Sequence, residues 1–289
     1  MSSGNILEKV KRLREITGVG FKDCKIAIEE SKGDVEKAVE YLRKKGIAKA
    51  GKRMQRTAAD GLISISEEKN KFSIIEINSE TDFVAKNSEF IKFVEEVSQL
   101  TLSNLGKMED LLNSKMKNGI NVKDNLVSLI SKIGEKITIR RTDFIDSGKY
   151  LNFSYTHSSI KKNIGKIGVL LSLESKIKNK DILELGKKLA MHVAALSPLS
   201  IDREDLDKKI LNKEKEIITE ELKNSGKDSK IVDKIANGKL NKFIDENTLL
   251  NQQWIMEPKN KVKDILKGIA GKEEIKIKKF TRFKVGEGI

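Results

Sequence analysis

The sequence has almost no cysteine: Cys24 is the single one in 289 residues. That excludes an internal disulfide framework and any paired-cysteine metal site. Histidine is nearly as scarce. His157 and His192 are the two present, neither beside a cysteine nor in an HExxH spacing, so a zinc centre has no ligand set to build from. Aromatic residues make up 5% of the chain, which predicts a mostly aliphatic core. No apolar run approaches the roughly 20 residues a membrane-spanning helix needs. The opening stretch MSSGNILEKVKRLRE lacks the apolar centre of a signal peptide. A cytoplasmic protein with no membrane partner is therefore expected. Nucleotide-holding loops are missing too: no GxxxxGKS/T occurs, and the Gly18-Val-Gly20 pair has Asp23 where a dinucleotide fingerprint needs its third glycine. The chain is expected to carry no cofactor and no metal.

Charge is what it has in abundance. Lys and Arg total 57 against 43 Asp and Glu, a net charge of +14 that would suit an anionic partner. Along most of the chain the two signs are interspersed, as in KEKEIITEELK, where they pair across helical turns on a solvated face. The densest basic run, KKGIAKAGKRMQR from Lys44 to Arg56, has no interleaved aromatic on which a base could stack. It reads as a linker rather than a nucleic-acid site.

Residues 1–46 read as three short helices. Ile6, Val10, Leu13 and Ile16, then Phe21, Cys24, Ala27 and Ile28, then Val35, Ala38, Val39 and Leu42, keep one face apolar. Gly33 ends the second helix and Asp34 caps the third. Cys24 faces the core as a small hydrophobe. After a basic linker at 47–60 the period changes: GLISIS and KFSIIEIN alternate on either side of EEKN, an antiparallel hairpin. Helical patterns and the strand EKITIRRTDFI complete a first lobe, 61–146. YLNFSYTH, KIGVLLSLES and a helix presenting Ile182, Leu185, Leu189 and Val193 open a second lobe, 147–201, which resumes at 244–289 with the strand IKIKKFTRFKV. Between these, 202–243 reads as an antiparallel helical hairpin joined at Ser225–Asp228. Its narrow seam comprises Leu206, Ile210, Ile217 and Leu222 with Ile231, Ile235, Leu240 and Phe243. The expected class is α+β, with two lobes built on antiparallel sheets.

No nucleophile and base stand together. His192 lies in an apolar helix and reads as a satisfied partly buried side chain, whereas His157 ends a strand. In SETDFVAKNSEF, Ser79 to Phe90, an acid and a large aromatic share a polar connection. Spacing alone leaves Phe83 either folded back onto Val84 and Phe90 or exposed at a tip.

The segment VKRLREITGVGFKDCKIAIEESKGDVEKAVEYLRKKG is similar to the amino-terminal ubiquitin-associated-like three-helix domain of bacterial elongation factor Ts, and TDFVAKN resembles that family's signature. KIGEKITIRR, GKIGVLLSL, AMHVAALSP and FTRFKVGEGI follow in the family's order. The resemblance implies a guanine-nucleotide exchange factor rather than an enzyme. Its expected partner is GDP-bound elongation factor Tu, whose magnesium and phosphate sites it disturbs. Thr81, Asp82, Phe83 and Val84 are the implied contacts, with Phe83 exposed, and Val19, Gly20, Phe21 and His157 are candidate secondary contacts. The basic loop HSSIKKNIGKIG after His157 departs from the family pattern. The resemblance also implies that 202–243 is a coiled coil, a candidate homodimer contact. No direct nucleic-acid contact is expected. An RNA- or ribosome-binding protein using the +14 charge is the alternative, distinguished by RNA affinity that falls steeply with salt.

Overall fold

A computed structural model of the chain describes residues 3–17, 19–146, 148, 150–223 and 229–289. Helices α1 (Ser3–Thr17), α2 (Phe21–Glu30) and α3 (Val35–Arg53) pack around Val10, Leu13, Cys24, Ala27, Ile28, Ala38 and Leu42. The punctuation between α2 and α3 is as the sequence suggests. Gly33, at φ 83°, donates to Ile28 O at 2.8 Å, and Asp34 Oδ1 accepts from Lys37 N at 3.0 Å.

Strands β1 (Asp60–Glu68) and β2 (Lys71–Ser79) form the expected hairpin. Lys69 and Asn70, both with positive φ, make the tight turn whose twist matches that of the strands. There follow α4 (Asp82–Ala85), α5 (Ser88–Ser103), α6 (Met108–Asn113), α7 (Val122–Ile133) and β3 (Ile137–Ile145). These helices cover one face of the sheet, with Phe90, Val94, Val97, Leu111 and Ile130 against Leu62, Ile75, Ile77 and Ile137. The second lobe contains β4 (Leu151–His157), β5 (Ile164–Gly165), β6 (Ile167–Ser175) and α8 (Lys180–Leu196). Then come α9 (Lys208–Lys223), α10 (Ser229–Asn247), α11 (Val262–Ala270) and β7 (Ile275–Lys284). Antiparallel pairing gives one sheet in the order β3-β2-β1-β5 and another in the order β4-β6-β7. The fold is α+β.

The two sheets share a core. Ile63, Ile65, Phe72, Ile74 and Ile145 of the first meet Leu170 and Phe283 of the second. Gly168 lets them approach: a Cβ there would lie 2.6 Å from Ile63 Cγ2 and 2.8 Å from Ile74 Cδ1. With helices on one side and a sheet on the other, β1 is covered on both faces. The serines of GLISIS are accordingly buried, and Ser66 bonds Ser98 of α5 at 2.8 Å.

The structure corrects the expected linker at 47–60, because α3 continues to Arg53. This half of α3 lies on α7: a Cβ on Gly46 would come 2.6 Å from Ser131 Oγ, and Arg53 Nη1 donates to Ile130 O at 2.7 Å near the end of α7. The run's cations are largely engaged within the chain, Lys44 with Glu40, Lys45 with Asp23 and Arg56 with Glu80.

The helical insertion also differs in detail. Its first helix begins at Lys208 after a single 3-10 turn at Arg203–Asp205, and its second runs to Asn247 rather than Phe243. The two helices contact each other and carry a Lys239–Glu221 ion pair at 2.7 Å. The joining turn expected at Ser225–Asp228 lies outside the described residues, as does Gly18. The seam on α9 passes through Ile218 and Leu222, which turns Ile210 and Ile217 outward to solvent. At the base the chain closes on itself. Leu199 N donates to Asn247 O at 2.8 Å and Leu249 N to Ser200 O at 2.9 Å, so the insertion's ends are neighbours.

His192 is fully buried, stacked on Trp254 with ring centroids 5.1 Å apart. Its Nδ1 accepts from Ile255 N at 3.3 Å and its Nε2 lies 3.0 Å from Gln252 Oε1, which together require the neutral ring protonated on Nε2. Burial lowers its pKa from 6.5, against a smaller raising effect of the Gln252 bond. The unfolded chain therefore binds this proton first, so His192 contributes stability above pH 6.5 that is lost as the pH falls toward its folded pKa. Urea unfolding between about pH 7.5 and 5.5 should show this decline, and His192→Gln, though less stable, should flatten it.

Candidate functional site

The signature segment begins where β2 ends. Ser79 is paired with Ile137 of β3, and its Oγ donates to Thr81 O at 2.9 Å. Thr81 precedes α4, a single turn of four residues, and Asn87 then caps α5 by accepting from Glu89 N at 2.8 Å and Phe90 N at 3.3 Å. Val84 and Ala85 are buried in the core of the first lobe. Phe83, on the opposite side of the same turn, is 79% exposed. Three consecutive residues thus divide into one projecting aromatic ring, Phe83, and two anchors, Val84 and Ala85. Phe83 does not fold back onto Val84 and Phe90. Val84, also expected among the contacts, is placed at 6% exposure, with its side chain in the floor that supports the tip.

Asp82, at the start of α4, accepts from Lys86 Nζ at 2.7 Å, one turn along. The Lys86 ammonium holds the Asp82 carboxyl below the usual carboxylate range, so the tip carries an ionised acid and its countercharge. Thr81 is half-buried and held from outside its own turn. Its N–H reaches Glu135 Oε2 at 3.0 Å and its hydroxyl donates to Glu135 Oε1 at 2.7 Å. Glu80, its neighbour, accepts from Lys136 N at 2.6 Å. Sequence reasoning missed Glu80, Glu135 and Lys136. More than fifty residues separate the two segments, and no local pattern pairs them.

The remaining candidates lie on other cores. Val19 packs half-buried on the three-helix unit, Gly20 opens α2, and Phe21 is 44% exposed. The Cys24 thiol donates to Val19 O at 3.3 Å, fixing the loop from beneath, and burial is the largest of the causes that raise the pKa of that thiol. His157 is exposed at the end of β4, its Nδ1 3.1 Å from Tyr155 Oη. The basic loop after it is ordered as a small hairpin. Ile160 N donates to Ile164 O at 3.0 Å, and β5 pairs with β1 across the lobe boundary. Thr81 to Val84 are thus brought together in one turn, whereas Val19 to Phe21 and His157 belong to two separate units. Among the described residues no group of three or more His, Cys, Asp or Glu side chains could hold a metal ion, and no described helix is long and apolar enough to cross a membrane.

The family model described as "Elongation factor TS" matches residues 80–287, from the start of this site through the end of β7. The chain belongs to the elongation factor Ts family. The elongation factor Ts of Rickettsia felis is 41% identical over 285 residues, covering 97% of this chain and 91% of its own length. That of Gluconobacter oxydans is 38% identical over 280 residues with the same coverage, and that of Rickettsia prowazekii 41% over 283. Membership in the elongation factor Ts family implies a role in translation elongation. The match also takes in the half-buried supports at Glu80, Glu135 and Lys136.

Proposed function

We propose that this chain is a guanine-nucleotide exchange factor that binds GDP-loaded elongation factor Tu and promotes GDP release without covalent chemistry. The exposed Phe83 ring on its anchored turn carries this reading. A tip already built before contact loses little entropy when it enters a partner. Burying its ring would gain about 1.5–3 kcal/mol, available to displace partner elements that hold the magnesium ion and the phosphates of GDP. Each 1.4 kcal/mol coupled in this way weakens GDP about tenfold, and the coupling is reciprocal, so GTP rebinding expels the factor. Asp82 reaches the interface paired with Lys86, and its role is to shape the tip. Val19, Gly20, Phe21 and His157 serve as secondary contacts. The test is release of a fluorescent GDP from purified elongation factor Tu: the chain accelerates it in the absence of RNA. A chain that leaves release unchanged and instead binds RNA with steep salt dependence is an RNA-binding protein.

The insertion of α9 and α10 plays an auxiliary part in this proposal, as a coiled coil for self-association or further partner contact. Its paired ends support removability. Replacing 208–242 with a short Gly/Ser linker, which spares Leu206, Ile244 and the Ser200–Thr248 pairing, should leave a folded monomer with exchange activity within about threefold of the parent. Sedimentation and GDP release on the same deletion check this, and a folded variant without exchange would place the arm in the mechanism.

A further inference from the structure

We infer that Glu135 is a positioning residue that sets the direction in which Phe83 points, an inference that rests on the exchange reading above. The turn bearing Phe83 is four residues long, too short to hold its own conformation, and no side chain within it caps its start. Burial of Val84 and Ala85 fixes one side of it. The other side, at Thr81, is held from outside the turn: Ser79 Oγ donates to the Thr81 carbonyl at 2.9 Å, and Glu135 takes the Thr81 N–H and hydroxyl. Both of its carboxylate oxygens are occupied by Thr81, one by the backbone N–H at 3.0 Å and one by the hydroxyl at 2.7 Å. Two parallel bonds to one carboxylate restrain rotation where a single bond would act as a pivot.

The restraint is itself braced. Glu135 follows Gly134, the left-handed residue that ends α7, and precedes β3, whose first residue Ile137 pairs with Ser79. Lys136 N donates to Glu80 Oε1 at 2.6 Å. Each segment therefore presents a carboxylate to a backbone N–H of the other: Glu80 to Lys136 and Glu135 to Thr81. Lys136 Nζ further donates to Arg56 O at 2.7 Å, and Arg56 Nη1 lies 3.4 Å from both oxygens of Glu80. The result is a cross-brace at the paired ends of β2 and β3, immediately before the projecting ring. Glu135 is half-buried behind the tip, and in this inference it acts through Thr81 rather than by touching the partner.

The test compares Glu135→Ala and Glu135→Gln with the parent chain. It uses the maximal rate of GDP release from elongation factor Tu, the half-saturating factor concentration, and amide hydrogen exchange. Alanine removes both acceptors. Glutamine keeps one oxygen for the N–H and offers its amide to the Thr81 hydroxyl, which can accept as well as donate. Glu135→Ala should lower the maximal release rate about tenfold while changing the half-saturating concentration less than about threefold. It should speed amide exchange at Thr81 to Val84 while leaving β1 and β2 protected, and Glu135→Gln should recover most of both effects. A full maximal rate in Glu135→Ala overturns the inference, as does a loss that glutamine does not restore or one accompanied by lost protection throughout the lobe. If the parent chain itself does not accelerate release, the exchange reading fails, and amide exchange at Thr81 to Val84 alone still decides whether Glu135 holds the turn.

Discussion

Phe83→Ala is expected to reduce the stimulated rate of GDP release by about thirtyfold, the effect of losing an interface anchor worth about 2 kcal/mol. The fold should be untouched, because a ring 79% exposed contributes almost nothing to the core. The unfolding midpoint should therefore match that of the parent. Val84→Ala, one residue away, supplies the contrast. Val84 lies in the core of the first lobe, so its truncation should lower stability by about 1–3 kcal/mol and affect exchange chiefly through that loss. Neighbouring residues with opposite signatures are what an anchored wedge requires. Undiminished release by Phe83→Ala, or its collapse in unfolding assays, would remove Phe83 from the mechanism.

Glu76→Ala should lower stability by about 3 kcal/mol. Glu76 is a fully buried carboxylate between the sheets, where Oε1 accepts from Asn78 Nδ2 at 3.0 Å, Arg140 Nη1 at 3.0 Å and Gly286 N at 2.9 Å, and Oε2 accepts from Arg141 Nε at 2.5 Å. Arg141 also lies over the Phe283 ring at 4.3 Å and donates to Lys284 O at 3.2 Å, so one acid ties β2 and β3 to the exit of β7. Alanine would leave two guanidinium groups and a backbone N–H without their acceptor. The half-buried arginines can turn partly toward water, which keeps the expected loss near the lower end for a broken buried pair. Burial opposes ionisation of Glu76, but the Gly286 N–H, Asn78 and Arg141 together outweigh it and depress the pKa below 4.5. This stabilisation is therefore complete above the unfolded pKa and is lost as the pH falls through the depressed folded one. Urea unfolding should show the deficit at neutral pH and a shallower acid limb in the variant. A loss below about 1 kcal/mol would mean that Glu76 adds little to the apolar contacts of Ile63, Ile74, Leu170 and Phe283 between the sheets.

Local pattern made much of the fold legible. The β1–β2 hairpin, the caps at Gly33 and Asp34 and the buried stripe of α8 each depend on residues a few positions apart. What pattern missed depends on distant partners. Ser64 and Ser66 alternate with isoleucines as a solvated strand face would, yet α5 covers them, and nothing in GLISIS announces that helix. The basic stretch 47–60 reads as a linker by its charge, but its first part continues α3, which meets α7 at Gly46 and Arg53. In the arm, the choice between Ile217 and Ile218 for the seam turns on one residue of helical phase, which the facing helix decides. For the site, the acid–aromatic pair was visible, but spacing could not say which way Phe83 faces. Its direction depends on Val84 and Ala85 below and on Glu135 behind, more than fifty residues away in sequence.

The most direct test mixes purified elongation factor Tu carrying fluorescent GDP with excess unlabelled nucleotide and follows release with no factor, with the parent chain and with Phe83→Ala. The parent chain should accelerate release manyfold in the absence of RNA, and the variant, folded to the same midpoint, should lose most of that acceleration. Release that the parent chain leaves at the spontaneous rate, or that both proteins accelerate equally, would contradict nucleotide exchange by a Phe83 wedge.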